Sequence, residues 1–276
     1  MSPALLIDSH CHLDDVVFDA RRDQVVQTAL TAGVGQIVVP AVSSRLFEAT
    51  LAMRQRYGCL IALGLHPMYC REHLDDHLAQ LEAQLQRHRP VAVGEIGLDH
   101  WLPDQDLPRQ EALFIEQLKL ARRYDLPVIL HVRKAQDRVL KYLRQYAVGG
   151  GIAHAFNGSQ QQAEAFVALG FKLGFGGAMT YQGSQRIRRL AATLPADCLV
   201  LETDAPDIRP AWAQDQPNEP ANLARYAAEL ASLRAATPEE MARQTSANVQ
   251  QALRLTPASL GGLHCPAQIS SCPADK

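Results

Sequence analysis

The sequence predicts an α/β protein folded as a single (β/α)8 TIM barrel, and three observations carry that prediction. Eight short apolar or β-branched runs recur along the 276 residues, each followed by a stretch with helical spacing. The runs are nearly uninterrupted by polar residues, as expected of parallel strands buried on both faces. Eight such units over about 250 residues match the usual size of a closed barrel. A doubly wound open sheet competes, but it normally wants a Gly-rich phosphate loop after the first strand, where this chain places His10-Cys11-His12.

In order, the strands are expected at Leu5 to Ile7, Gln36 to Val39, Leu60 to Leu63, Val91 to Val93, Val128 to Leu130, Gly151 to Ala153, Phe171 to Phe175 and Cys198 to Leu201. The segments between them read as amphipathic helices. From Asp106 to Tyr124, for example, Leu107, Leu113, Phe114, Leu118 and Ala121 mark one apolar side. Gly33, Gly58 and Gly170 stand where such helices would stop. Glu219 to Leu255 reads as one or two further helices, with Thr237-Pro238-Glu239-Glu240 supplying a cap, a first-turn proline and early acidic residues. Residues 1–256 are therefore expected to form one domain. Pro257 to Lys276, rich in Pro, Gly, Ser and Ala and without periodicity, reads as a mobile tail.

Hydrophobic residues at 47% and charged residues at 20% describe an ordinary soluble globular chain. With 27 basic and 29 acidic residues the formal net charge is −2, so the molecule as a whole does not attract nucleic acid or anionic membrane. Any such contact must be local. The N-terminus has no basic n-region and its apolar run is short, and no stretch approaches transmembrane length; a cytoplasmic protein without a membrane partner is expected. No obligate protein partner is indicated. The six cysteines (Cys11, Cys59, Cys70, Cys198, Cys265, Cys272) lack the close pairing of a zinc ribbon and read as reduced thiols. Cys11 lies beside two histidines, but strand alternation aims it the other way, as buried filler.

Metal-competent side chains collect at the carboxyl ends of the expected strands. His10 and His12 follow the first, Glu95 the fourth, His131 the fifth, His154 the sixth and Asp204 the eighth. In a barrel those ends form one face, so groups distant in sequence meet there. An isolated H-x-H is weak; six such positions together are not. Four imidazoles and two carboxylates suit zinc, manganese, nickel or iron rather than calcium. Two divalent ions are expected, one held by His10, His12 and Asp204, the other by His131 and His154, with Glu95 bridging. Such a pair activates water and clamps both oxygens of a displacement, so hydrolysis is the expected reaction, with Asp204 as general base.

Around this set, Asp8 and Asp14 could orient an imidazole. His66 and Arg133 face the same rim and could contact a phosphate, Arg133 through its bidentate fork. The Asn157-Gly158-Ser159 turn could offer backbone N–H groups at a helix start. Arg186, Arg188 and Arg189 read as a solvated helix face or a backbone-binding cluster. Trp101 and Trp212, in rim loops, could stack on a base or pack their own loops.

At this point the chain resembles the TatD family of metal-dependent hydrolases, within the amidohydrolase-like barrels, and most of all its YjjV-like branch. The stretches that carry the resemblance are Asp8-Ser9-His10-Cys11-His12-Leu13-Asp14, Gly64-Leu65-His66-Pro67, Val93-Gly94-Glu95-Ile96-Gly97-Leu98-Asp99, Pro127-Val128-Ile129-Leu130-His131-Val132-Arg133, His154-Ala155-Phe156-Asn157-Gly158-Ser159 and Leu201-Glu202-Thr203-Asp204-Ala205-Pro206. The resemblance implies a TIM barrel, the same six ligands, and a hydrolase with DNase and 3′-exonuclease activity on DNA ends or single strands. It leaves the ions open among zinc, manganese, magnesium and nickel. Asn157 stands where relatives often have serine. Two other readings are retained: a metal-dependent amide or ester hydrolase, such as an aminoacyl-tRNA deacylase, and a non-catalytic binding barrel, which the full ligand set opposes.

Overall fold

The computed structural model describes residues 5–101, 106–256 and 260–266. Eight parallel strands, β1 (Leu6–Asp8), β2 (Val34–Pro40), β3 (Leu60–Leu63), β4 (Ala92–Asp99), β5 (Val128–Arg133), β6 (Gly151–Ala153), β7 (Phe171–Phe175) and β8 (Leu199–Leu201), pair in sequence order. Backbone bonds at the seam join the two ends: Ser9 N–H donates to Leu201 C=O (3.1 Å), Asp204 N–H to His10 C=O (2.8 Å), and His12 N–H to Ala205 C=O (2.8 Å). The architecture is a (β/α)8 barrel. No helix of the described residues is long and apolar enough to cross a membrane.

Helices follow the strands: α1 (Arg22–Thr31), α2 (Phe47–Tyr57), α3 (His77–His88), α4 (Leu107–Arg123), α5 (Gln136–Gln145), α6 (Gln160–Ala168), α7 (Gln185–Thr193), α8 (Leu223–Arg234) and α9 (Pro238–Ala252). The expected helix over Asp106 to Tyr124 is α4, capped by Asp106, whose carboxylate accepts from Arg109 N–H at 3.0 Å. Leu113, Phe114, Leu118 and Ala121 face the core, whereas Leu107 at its first turn is exposed. Thr237 and Glu240 close a reciprocal capping box that starts α9.

Strand alternation separates two apolar layers. Ile37, Val39, Ile61, Leu63, Leu130, Leu199 and Leu201 face outward to the helices. Ile7, Val38, Ala62, Ala92, Ile129, Ile152 and Val200 form a second cluster within the barrel, closed at the amino-terminal end of the strands by Val249, Ala252 and Leu253 of α9. Polar stitches hold that plug: Ser246 Oγ accepts from Ile7 N–H and donates to Leu5 C=O, and Asn248 Nδ2 donates to Leu199 C=O.

Two strands run past their expected ends. Glu95 lies inside β4 and His131 inside β5, rather than just beyond them. Along β5, Ile129, His131 and Arg133 share the inward face by simple alternation. In β4 simple alternation would turn Glu95 outward, with Val93. A bulge corrects this: Val93 pairs with Val128 and Ile96 with Leu130, three residues of β4 against two of β5. The extra residue lets Val93 and Ile96 both face the helices while Glu95 turns inward.

Part of the segment read as a mobile tail is docked. Leu263 N–H donates to Gly35 C=O at 2.9 Å and His264 N–H to Tyr57 C=O at 3.0 Å, with Leu263 and Cys265 buried. Gly58, left-handed at φ 72°, makes room for it, because a Cβ there would meet Gly262 O at 2.5 Å and the His264 ring at 2.9 Å. These contacts involve residues within 260–266, and the rest of 257–276 lies outside the described residues.

Candidate metal centre

The barrel places all six expected ligands around one point at the carboxyl end of the strands. His10 Nε2 lies 3.3 Å from His12 Nε2, 3.1 Å from Glu95 Oε2 and 3.4 Å from Asp204 Oδ1. His12 Nε2 is 3.6 Å from the same Glu95 oxygen and 3.7 Å from the same Asp204 oxygen. Four donors on a tetrahedron of metal bonds near 2.0–2.1 Å would stand about 3.3–3.4 Å apart, so this set suits a zinc-sized ion. Asp204 reaches it from a left-handed backbone (φ 53°), a conformation Asp tolerates better than most residues.

Glu95 turns its other oxygen to a second set. Oε1 lies 3.0 Å from His131 Nδ1 and 2.9 Å from His154 Nε2, and those two nitrogens are 3.4 Å apart. With its Nε2–H given to Asp99, His131 turns the lone pair of Nδ1 on a carboxylate oxygen, an arrangement that suits a cation between them. His154 also approaches Asp204 (4.0 Å from Nδ1), and a grouping of His10, His154 and Asp204 could likewise hold an ion.

His66 belongs to a third such grouping, with Glu95 and His131. Its tautomer argues against a ligand role. His66 Nδ1 accepts the Met68 N–H at 3.2 Å, so the proton sits on Nε2, which donates to Glu95 Oε1 at 3.1 Å. His66 is thus a donor at the edge of the cluster. Its carbonyl is held by His73 Nε2 at 3.0 Å. Burial, offset in part by Glu95 and aided by His131, lowers the His66 pKa to about 4, so the ring stays neutral.

Other groups in the cluster are shifted as strongly. Glu95 is driven well below its ordinary value: burial opposes this, but the surrounding His66, His154 and His10 prevail. Burial raises Asp204 to about 7, with His154 and His12 opposing it and Glu95 and Glu202 reinforcing it. Burial also drives His10 well below the usual histidine range, helped by His154 stacked on it at 4.0 Å.

Two supporting carboxylates escaped the sequence reading. Asp99 Oδ2 accepts from His131 Nε2 at 2.9 Å, and buried Glu202 accepts from Ala155 N–H and lies 3.7 Å from His154 Nδ1. Glu202 fits only because residue 174 is glycine: a Cβ there would stand 2.2 Å from its carboxylate. Its signal was alternation, since Glu202 and Asp204 share parity. Asp8 sits behind the cluster, bound to Thr203 Oγ1 (2.6 Å), whereas Asp14 lines the cleft and accepts from Thr50 Oγ1 (2.5 Å). Cys11 is buried, its thiol toward Ala205 C=O.

A cleft of about 560 Å³ opens over the centre, lined among others by His12, His66, His131, Arg133, Asn157 and Asp204. Trp101 is half-exposed beside it, whereas Trp212 packs its own loop, bonded to Asn222 and covered by Arg225. The three arginines of α7 do not act together: Arg188 is bonded to Glu229 and Met179 C=O, and between them Ile187 lines the cleft. Ser159 N–H is taken by Gln162 in the α6 capping box and is not offered to a ligand.

Comparison with known proteins gives the family of the chain. The family described as TatD related DNase matches residues 7–254. YjjV of Escherichia coli K12, an uncharacterized metal-dependent hydrolase, is 46% identical over 241 residues, 86% of this chain and 93% of its own. A protein named 3′-5′ ssDNA/RNA exonuclease TatD from Erwinia billingiae is 32% identical, over 91% of this chain and 99% of its own. The crystal structure of YjjV superposes with a TM-score of 0.88 at 43% identity, covering 91% of this chain and 98% of that one. The chain belongs to the TatD family of metal-dependent hydrolases.

Proposed function

We propose that the protein is a divalent-metal-dependent phosphodiesterase that removes nucleotides from the ends of single-stranded DNA, in the manner of a 3′-exonuclease. The observation that carries this reading is the division of Glu95, with Oε2 3.1 Å from His10 Nε2 and Oε1 3.0 Å from His131 Nδ1. One carboxylate spanning two donor sets is the design of a two-ion site. His10, His12 and Asp204 would hold one ion, His131 and His154 the other, and Glu95 both. Bound there, two ions supply Lewis acidity to the attacking water and to the phosphoryl oxygens.

The chain's own residues divide the remaining work. Asp204, whose Oδ1 stands 3.4 Å from His10 Nε2 at the floor of the cleft, accepts the proton of the attacking water as its oxygen bonds to phosphorus and the P–O bond to the departing strand breaks. Arg133 offers its guanidinium fork to phosphoryl oxygens and Asn157 lines the same cleft, while His66, whose one N–H is given to Glu95 Oε1, steadies the bridging carboxylate instead of the substrate. The exonuclease name of the Erwinia relative supports the substrate class.

A second reading, hydrolysis of a carboxylic ester or amide, is favoured by Asp14, Asp15 and Asp207, which make one side of the cleft acidic. Metal-dependent release of nucleotides from single-stranded DNA separates the two. Asp204→Asn is expected to lower release by about 10²–10⁴-fold. Equal release by both proteins, or turnover of esters with none of DNA, overturns the phosphodiesterase reading.

A further inference from the structure

The cleft is electrostatically two-sided. Asp14 and Asp15 follow β1 and Asp207 follows β8, and these three carboxylates stand together across the barrel seam. On the opposite side, Arg133 ends β5 and Lys134 follows it; the barrel order puts β4 and β5 across from β8 and β1. Among the described lining residues Arg133 is the one arginine or lysine. A polyanion anchored at the centre is therefore repelled along the β8–β1 side and drawn along the β4–β5 side.

Trp101 lies on that second path. It is 50% exposed, its backbone N–H is fixed to Asp99 Oδ1 at 2.8 Å, and both cations are at its ring, Lys134 Nζ 3.9 Å and the Arg133 guanidinium 4.9 Å from the centroid. Asp99 thus holds both the backbone of Trp101 and the imidazole of His131. The half-exposed indole adjoins Arg133, which lines the cleft, so the ring and its two cations stand at the margin of the cleft.

We propose that Trp101, Arg133 and Lys134 form a subsite for the nucleotide next to the one being removed: its unpaired base stacks on Trp101 while the two cations contact the flanking phosphates. The subsite rests on the phosphodiesterase reading and sets its preference for unpaired strands, because a base held in a duplex cannot reach the indole. Stacking of this kind is tolerant of sequence, so the preference is for single-strandedness and not for a base.

The test compares a single-stranded decanucleotide with a small phosphodiester that has no second base, bis-p-nitrophenyl phosphate, on the metal-loaded enzyme. Trp101→Ala is expected to raise KM for the decanucleotide by about tenfold with kcat within about twofold, to leave the small diester unchanged, and to be rescued by Trp101→Phe. Lys134→Gln is expected to reduce the slope of log affinity against log salt by about 0.7. Equal effects on both substrates, or on neither, overturn the subsite. Binding is read separately by fluorescence in Trp212→Phe, whose remaining tryptophan is Trp101, titrated with a cleavage-resistant phosphorothioate decanucleotide. Quenching without hydrolysis by the wild type removes the phosphodiesterase reading and keeps the platform; hydrolysis without quenching removes the platform and keeps that reading.

Discussion

Asp99 Oδ2 and His131 Nε2 are joined at 2.9 Å, and this leaves His131 Nδ1 as the nitrogen facing Glu95 at 3.0 Å. A carboxylate on the far nitrogen fixes the tautomer and raises the basicity of the near one. Asp99→Asn keeps the shape but removes the charge. Metal competition with a chromophoric chelator should show affinity at one site reduced by about 10–100-fold with the circular dichroism unchanged.

Glu95→Gln tests the bridge itself. The amide has one oxygen acceptor and an NH2 group, so it cannot serve both donor sets. Elemental analysis should find two ions per chain in the wild type and at most one in the purified variant.

Removal of metal should cost stability as well as activity. Ligand binding to the native state contributes about 2.7 kcal/mol at a free concentration a hundred times Kd. In a chain of this size that corresponds to a fall of roughly 5–10 °C in Tm on chelation, reversed by adding back zinc or manganese. An unchanged Tm would contradict two occupied sites.

Glu111 on α4 clasps α5 through Arg138 and the Tyr142 hydroxyl, and these bonds, led by Arg138 and opposed by burial, lower its pKa below the ordinary 4.5. A depressed carboxyl stabilises the fold above its unfolded pKa and ceases to do so as pH falls through the folded value. Glu111→Gln should therefore cost about 0.5–1 kcal/mol at pH 7 in urea unfolding, discounted because Arg138 is well exposed. The gap between variant and wild type should narrow steadily once the pH drops below that of the free side chain.

Val249 of α9 is fully buried beneath the barrel. Val249→Ala should lower stability by about 1–3 kcal/mol through lost burial and a cavity, without changing metal affinity. A parallel loss of metal would show that the plug and the centre are coupled.

Most of the centre was legible because its residues sit at strand ends, where a barrel gathers what the sequence scatters. His10, His12, His154 and Asp204 needed only the order of the strands. Glu95 was identified by its neighbours, yet its direction came from a bulge that periodicity does not announce. Asp99 stood in plain view in Gly97-Leu98-Asp99, but nothing along the chain shows which imidazole it meets. Trp101 and Trp212 looked alike as loop tryptophans; the Asn222 bond to its indole and its lower exposure distinguish Trp212 as the packed one. The docked 260–266 segment had no apolar period to read, because its attachment is through backbone bonds to Gly35 and Tyr57.

The seam bonds between Asp204 and His10, and between His12 and Ala205, have a bearing on biogenesis. Two imidazoles of the proposed cage are made nearly two hundred residues before their carboxylate partner. Until β8 has been made, the first strand has no neighbour on that edge and the early histidines have no cage. Assembly of the proposed cage then waits on the closing of the ring by the last strand.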